Sequence, residues 1–440
     1  MSHYFEIAYA LASKRLCLFT GTGFSRALSD NKAPGWQELL EGVCDDHLAD
    51  TNIKDTLFPR DNDGSTKRGI NPLALDEAAQ VIKLELANRE LFLHEIIAEQ
   101  INQIKPSGKA PNTEAFLKEQ SYVLVTTNYD KLAQKIAGEK CQTITPGLPI
   151  PRLSWEAKAL HIHGSVDAPN RMVVTADDYF NFMRSESFFA RKLSTILHEN
   201  TVVILGYSLG DTNLKAILND YQTFTSNLNV GSSIFLVSQG PVDQRIADYY
   251  SHCYGIRVIE NTEVEDFFER LNRFAPIADR RRKKTLSNIN KVLEKNGKPK
   301  THYLKTENSF YEVIAALGAK GVALDNPKVI ELFSYFIAKK MELCREDGAW
   351  EQYTHLSAWL CYLGNLLNIP DTALEAIFNS GSLFSMERMS KEYRLGYSWQ
   401  AYKTWSARWS SITAGNRNLI ASYIKEHSID PDALEIVSRG

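Results

Sequence analysis

The sequence has no long apolar run, no closely spaced cysteine pair and no strong charge of either sign. Its apolar stretches, such as Thr201 to Leu205, fall far short of the roughly 20 residues that a membrane helix needs, so no membrane partner is expected. Six cysteines stand at 17, 44, 141, 253, 344 and 361, and none has the Cys-x-x-Cys spacing of a metal or redox pair. They read as buried free thiols of a reducing compartment, and no metal ligation is expected from them. The opening Met-Ser-His-Tyr-Phe-Glu lacks the basic and then apolar regions of a secretory signal. A cytoplasmic protein is therefore the expectation. A formal charge of −3 gives no general pull toward nucleic acid or membrane. No repeat of fixed period is visible. What is present is a chain of 440 residues with 44% apolar content, enough for two or three domains with sizeable cores.

Short apolar runs alternate with helical periods along much of the chain. Leu16–Thr20, Tyr122–Thr126, Ala159–His163, Val202–Leu205, Ser233–Val237 and Arg257–Ile259 read as strands, with Arg171–Thr175 as an additional one. Helices are predicted at Asp177–His198, Thr212–Tyr221, Val242–Tyr250 and Val264–Phe274. Trp36 to about Gln103 has helical periods around a polar loop at Arg60–Asn71, which gives a helical insertion at about 36–115. Strands alternating with helices argue for an α/β, Rossmann-like parallel sheet covered on both faces, over residues 1–277.

Between Ala278 and Lys300 basic residues crowd together with almost no acids. The stretch 278–307 is read as a basic, solvated linker. Contact of Arg280–Lys300 with a phosphate backbone or an acidic partner is the less favoured alternative. Residues 308–440 show no convincing strand and are expected to form a mainly α-helical C-terminal domain. There Leu395, Trp399, Tyr402, Trp405 and Trp409 recur at steps of three and four, a stripe suited to a core or an interface.

Four motifs fall at the ends of predicted strands. They are Gly21-Thr22-Gly23-Phe24-Ser25, Thr126-Thr127-Asn128-Tyr129-Asp130, His161-Ile162-His163-Gly164-Ser165 and Gly206-Tyr207-Ser208-Leu209-Gly210-Asp211. Strand ends in an open parallel sheet are where such folds bind nucleotides. The glycine turn lets backbone N–H groups approach a pyrophosphate. A plain tight turn is the alternative, because a full dinucleotide fingerprint would place glycine or alanine where Arg26 stands. Asn128 and Asp130 can hold a ribose hydroxyl, a water and a carboxamide, or can form an Asx turn capping a helix that starts near Lys131. His161 and His163 alternate on a strand and are expected to face one side. His163, nearer the sheet's C-terminal edge, can accept a proton near neutral pH or fill a structural role. Gly206 and Ser208 suit phosphate or ribose oxygens, and Asp211 suits a helix cap.

In this order the four segments resemble the sirtuin family. That family has a glycine-alanine-glycine turn after its first strand, a strand ending in Gln-Asn-x-Asp, a catalytic histidine before glycine, and a late glycine-x-serine turn. The matching residues are Gly21-Thr22-Gly23, Thr127-Asn128-Tyr129-Asp130, His163-Gly164 and Gly206-Tyr207-Ser208. Three features depart from it. The four zinc-binding cysteines are missing, Thr127 replaces the glutamine, and Pro34-Gly35-Trp36-Gln37 stands where an Asp-Phe-Arg triplet is usual. These departures make the chain more similar to the sirtuin-like effectors of bacterial antiphage defence.

The resemblance implies an NAD+ glycohydrolase that cleaves NAD+ to nicotinamide and ADP-ribose and depletes the cell of it. NAD+ is then the substrate, and no cofactor beyond it and no zinc is expected. By the same resemblance Asn128, His163 and Asp130 are the catalytic residues. Gly21, Thr22, Gly23, Phe24, Ser25, Thr127, Gly206, Ser208 and Ser238 are then the nucleotide-binding ones. It also implies a homo-oligomer, or pairing with a HerA-type ATPase or another activating partner. An NAD-dependent protein deacylase and a non-catalytic NAD-sensing module are the alternatives.

Overall fold

A strand buried on both faces is mostly apolar, as Leu16–Phe19 and Val202–Leu205 are in the computed structural model. The structure describes residues 2–59, 73–150, 155–184, 188–209, 212–227, 233–295 and 298–439. The polar loop expected at 60–71 and the Gly210-Asp211 pair lie outside the described residues.

The chain opens with α1 (Ser2–Ala12), β1 (Leu16–Thr20) and α2 (Thr22–Ser29). The helical insertion follows as α3 (Trp36–His47), α4 (Ile53–Leu57), α5 (Leu75–Ala87), α6 (Leu93–Asn102) and α7 (Pro111–Glu119). Next come β2 (Tyr122–Thr126), α8 (Leu132–Ala137), β3 (Cys141–Ile144), β4 (Ala157–His161), α9 (Ala176–Arg184) and α10 (Phe188–Glu199). The sheet is completed by β5 (Thr201–Leu205), α11 (Thr212–Asn227), β6 (Ile234–Val237), α12 (Gln244–Tyr254) and β7 (Ile256–Ile259). A long α13 (Val264–Lys295) leads into α14 (Thr301–Leu304), α15 (Asn308–Ala319), α16 (Pro327–Leu343) and α17 (Trp350–Leu366). The last helices are α18 (Glu375–Met386), α19 (Trp399–Arg408), α20 (Ala414–His427) and α21 (Pro431–Val437).

The seven strands form one sheet in the order β3-β4-β2-β1-β5-β6-β7, and every neighbouring pair is parallel. This is the Rossmann-like α/β sheet expected, followed by helices alone. From β1 the chain first builds outward through β2, β4 and β3, then restarts on the other side of β1 at β5. The switch point between the two halves therefore lies beside β1, where such sheets leave a crevice at their C-terminal edge.

Alternate residues of each strand feed different cores. Leu16, Leu18, Leu124, Val203 and Phe235 face α1 and α13, in a core continuous with that of the C-terminal helices. Cys17, Phe19, Val125, Val202 and Ile204 face the opposite side, against Leu193 and Ile196 of α10 and Leu214 and Leu218 of α11. The insertion has its own core, with Leu40, Val43, Ile82 and Ile97 at its centre.

Several expectations are corrected. Arg171–Thr175 is not a strand. Met172 and Val174 are apolar because they are buried against the insertion's core, and a short 3₁₀ turn at Pro169–Arg171 precedes them. The predicted helix Asp177–His198 is two helices, α9 and α10. The stretch read as a basic linker is largely helix, because α13 runs for 32 residues, past Phe274 to Lys295. Buried Ala278 and Ile289, with Leu286 and Val292 packed beside them, give this stretch an inward apolar face, while Arg280, Lys283, Lys284 and Lys291 stay exposed. The aromatic stripe is also broken. Ser398 Oγ accepts the N–H of Ala401 and starts α19 only at Trp399. Leu395 is left outside the helix and 85% exposed, while Trp405 and Trp409 are buried in the core. Among the described residues, no helix is long and apolar enough to cross a membrane.

A buried ion pair fastens the C-terminal helices to the sheet. Arg257 on β7 donates to both carboxylate oxygens of Glu6 on α1, at 3.0 and 2.6 Å. Tyr362 on α17 donates its hydroxyl to the same Glu6 carboxylate, and the guanidinium lies 4.2 Å from the Phe235 ring centre. The Arg257 side chain is only 3% exposed, so removing its counter-charge leaves a buried cation unpaired. Glu6→Gln is expected to lower unfolding stability by about 3 kcal/mol, read by chemical denaturation. An unchanged midpoint would show that the seam does not depend on this pair.

Candidate active site

The site begins where two glycine turns touch. Gly21 follows the end of β1, and its N–H donates to the carbonyl of Leu205 at the end of β5, at 3.1 Å. The Gly23 N–H donates to the carbonyl of Gly206 at 2.9 Å. Gly206 has φ of +59°, and a Cβ there would fall 2.2 Å from the backbone nitrogen of Phe24. Only glycine fits both that conformation and that approach. The N–H groups of Gly21 and Gly23 thus hold the two halves of the sheet together at the switch point and do not point at a ligand. The turn also starts α2, which carries Ser25 toward the ends of β2 and β4.

Ser25 is the hub of a hydrogen-bonded set. Its Oγ donates to Asp130 Oδ2 at 2.6 Å and accepts from Asn128 Nδ2 at 2.7 Å. Asp130 Oδ1 accepts the N–H of Leu132 at 3.0 Å, so the same carboxylate also caps α8. The Asn128 N–H donates to Thr126 Oγ1 at 3.0 Å, and that hydroxyl donates to the Thr20 carbonyl at 3.1 Å. The remaining Asn128 side-chain atom is the acceptor Oδ1.

The two histidines part company, against the expectation that they share a side. β4 ends at His161, so strand alternation no longer governs His163. His161 is fully buried, with Nδ1 2.9 Å from the Asn128 carbonyl and Nε2 2.5 Å from Gln134 Nε2 on α8. His163 turns toward α9, where its ring meets the edges of Tyr179 at 5.5 Å and Phe182 at 5.6 Å. The following Gly164 has φ of +87°, and a Cβ there would fall 2.7 Å from Met172 Cα. That close approach lets the Val173 N–H donate to the His163 carbonyl at 2.8 Å.

A cleft of about 890 Å³ opens over these strand ends, within the range of small-molecule sites. Of the residues predicted from the sequence, Thr22, Gly23, Ser25, Thr127, Asn128, Asp130, His163, Gly206 and Ser208 line it. Three others do not. Gly21 is held within the turn contact, and Phe24 is buried in the core. Ser238, beyond β6, donates its hydroxyl to the Gly240 carbonyl at 2.9 Å. Leu209, beside Ser208, is a buried residue held at a left-handed φ of +52°, a strained conformation for a side chain of its size.

The insertion and α9 together supply lining that motif reading missed. Trp36 of α3 stacks on Tyr179 of α9 with ring centres 6.0 Å apart, and both line the cleft with Tyr129 and Phe180. α9 is anchored by Asp178. Its Oδ2 meets His94 Nε2 at 2.9 Å and accepts the Thr175 N–H and hydroxyl at 2.9 and 2.8 Å. Burial pushes this carboxyl upward, but the bonds from His94 and Thr175 outweigh it and hold Asp178 well below the usual carboxylate range. Among the described residues, no group of three or more His, Cys, Asp or Glu is placed to hold a metal ion.

Two outcomes follow from this geometry. Gly206→Ala is expected to lower stability by more than about 1–2 kcal/mol from backbone strain alone. Gly240→Ala, with open space around its Cβ, should stay within about 0.5 kcal/mol of the parent. Thermal melting of the two variants checks both. The depressed Asp178 carboxyl contributes stability above its unfolded pKa and loses it as pH falls through the lower folded value. The stability difference between the parent and Asp178→Asn should therefore be full above about pH 5 and shrink below about pH 4, as read by denaturation at stepped pH.

Comparison with known proteins places the same elements. Residues 122–259, from the start of β2 to the end of β7, match the family model described as a SIR2-like domain. Over 283 residues the chain is 23% identical to defense-associated sirtuin 2 of Bacillus subtilis, covering 62% of this chain and 26% of that protein. Over 213 residues it is 26% identical to NAD(+) hydrolase ThsA of Bacillus cereus (strain MSX-D12), covering 46% of this chain and 39% of that protein. The matches thus span less than half the length of either relative. The stretch that matches the SIR2-like domain includes Asn128, Asp130, His161 and His163.

Proposed function

We propose that the cleft binds NAD+ and hydrolyses the bond between nicotinamide and ribose, releasing nicotinamide and ADP-ribose, as the effector step of an antiphage defence. The observation that carries this reading is the fixed Asn128 carboxamide beside a carboxylate, on the same cleft as His163. The names of the two relatives, a defence-associated sirtuin and an NAD+ hydrolase, support it.

In this reading the C1′–N bond lengthens first, and its electron pair leaves with the nicotinamide ring nitrogen. Positive charge builds at C1′, and the Asp130 carboxylate stabilises it electrostatically from within the preorganised set. Asn128 Oδ1 accepts a hydrogen bond from the attacking water or a ribose hydroxyl. Water adds at C1′, and His163 accepts the proton it gives up. Trp36, Tyr179 and Tyr129 supply apolar walls that exclude competing water. Gly206 and Ser208, with Thr22 and Thr127, contact the nucleotide's phosphates and ribose. An unregulated enzyme of this kind would empty its own cell of NAD+. A control step by self-assembly or an activating partner therefore belongs to the proposal.

The test is incubation of the purified chain with NAD+ alone and identification of products by mass. ADP-ribose and nicotinamide are expected without any acylated peptide. Asn128→Ala and His163→Ala should each lower turnover by at least about 100-fold while melting like the parent. Full turnover by a folded His163→Ala protein would overturn the mechanism.

A further inference from the structure

His161 does not reach the cleft, yet it touches the residue on which the proposed chemistry turns. Its Nδ1 lies 2.9 Å from the Asn128 carbonyl oxygen, and its Nε2 lies 2.5 Å from the Gln134 amide nitrogen. The ring is fully buried, and Gln134 is only 8% exposed. A carbonyl can only accept, so Nδ1 must carry a proton. Gln134 donates to Nε2, so that nitrogen must present its lone pair. The two partners fix one neutral tautomer, and burial opposes the doubly protonated alternative.

We infer that Gln134 and His161 form a positioning pair that sets the backbone of Asn128 and thereby aims its side chain into the cleft. Asn128 is then held at three points: its N–H by Thr126 Oγ1, its carbonyl by His161 and its carboxamide nitrogen by Ser25. Two of these holds act at neighbouring strand ends, β2 and β4, and the third comes from α2. Each holding group is itself backed: Thr126 Oγ1 by the Thr20 carbonyl, Ser25 Oγ by Asp130, and the His161 ring by Gln134 of α8. Loss of the imidazole frees the Asn128 peptide to rotate, which moves the side chain without removing any group that meets a ligand.

The inference rests on the proposed hydrolysis of NAD+ and is tested on the full chain by substitution and by spectroscopy. His161→Asn keeps an amide donor near the place of Nδ1, and His161→Leu removes it at similar volume. We expect kcat of His161→Leu to fall by about 10- to 100-fold with KM within about threefold, as for a misplaced catalytic group. His161→Asn should recover most of that loss. In histidine labelled with ¹⁵N, the signal missing from both variants should report an Nδ1–H tautomer. Parent-like kcat in His161→Leu, equal damage in His161→Asn, or an Nε2–H tautomer would each overturn the inference. If His161→Leu does not fold, the His161→Asn kinetics and the tautomer decide. If the parent chain does not hydrolyse NAD+, the proposed function falls, and the tautomer still decides whether His161 holds Asn128.

Discussion

One backbone contact governs the rest of this structure: the N–H of Gly23 against the carbonyl of Gly206. It joins the ends of β1 and β5, which belong to the two halves of the sheet. Neither turn tolerates a Cβ on its facing side, where the nearest atoms are 2.2 to 2.7 Å away. Closing the gap brings α2 directly over the ends of β2 and β4. Ser25, on the first turn of α2, then lies within hydrogen-bond distance of residues more than a hundred positions away in sequence. The glycines serve the cleft indirectly, by deciding where Ser25 stands.

With Ser25 fixed, the remaining polar groups hold one another. A hydroxyl can donate once and still accept, so it bridges an acceptor-only carboxylate and an amide donor without leaving either unsatisfied. The carboxamide and the carboxylate are therefore held in a fixed arrangement, which is what the proposed reaction needs for electrostatic stabilisation of developing charge. The insertion completes the arrangement from above. Its helices share a core with Met172 and Val174, and this short segment also accompanies the turn that presents His163. Roof and histidine are thus parts of one packed unit.

How far all this could be read from the residues follows from burial. β1, β2, β5 and β6 lie inside the sheet and stand out as mostly apolar runs. β3 is an edge strand of sequence Cys-Gln-Thr-Ile with no fully buried position, and nothing in its composition marks it. Met172 to Val174 sent the opposite signal, since burial against helices selects the same residue types as burial in a sheet. The extent of α13 was hidden by its exposed charges and by Pro276, a residue that ordinarily ends a helix but here lies inside one. Ser238 follows a genuine strand, but that strand lies two places from β1, away from the switch point. Position in the sheet, rather than strand-end chemistry, keeps it out of the cleft.

The motifs posed alternatives that the geometry shows to be compatible. Asp130 could be a helix cap or a site carboxylate. Its Oδ1 takes the Leu132 N–H while its Oδ2 takes Ser25. The cap is what stops the side chain from rotating away from Ser25. In the same way, a structural histidine and a cleft histidine were rival accounts of one segment, and each describes one of its two rings. His161 is the fully buried one, with Nδ1 beside the Asn128 carbonyl, and His163 lines the cleft. A group can be absent from the reacting surface and still set the orientation of a group that belongs to it. On the proposed reading, a site built from the ends of several strands gives holding and reacting to neighbouring atoms of the same short segments.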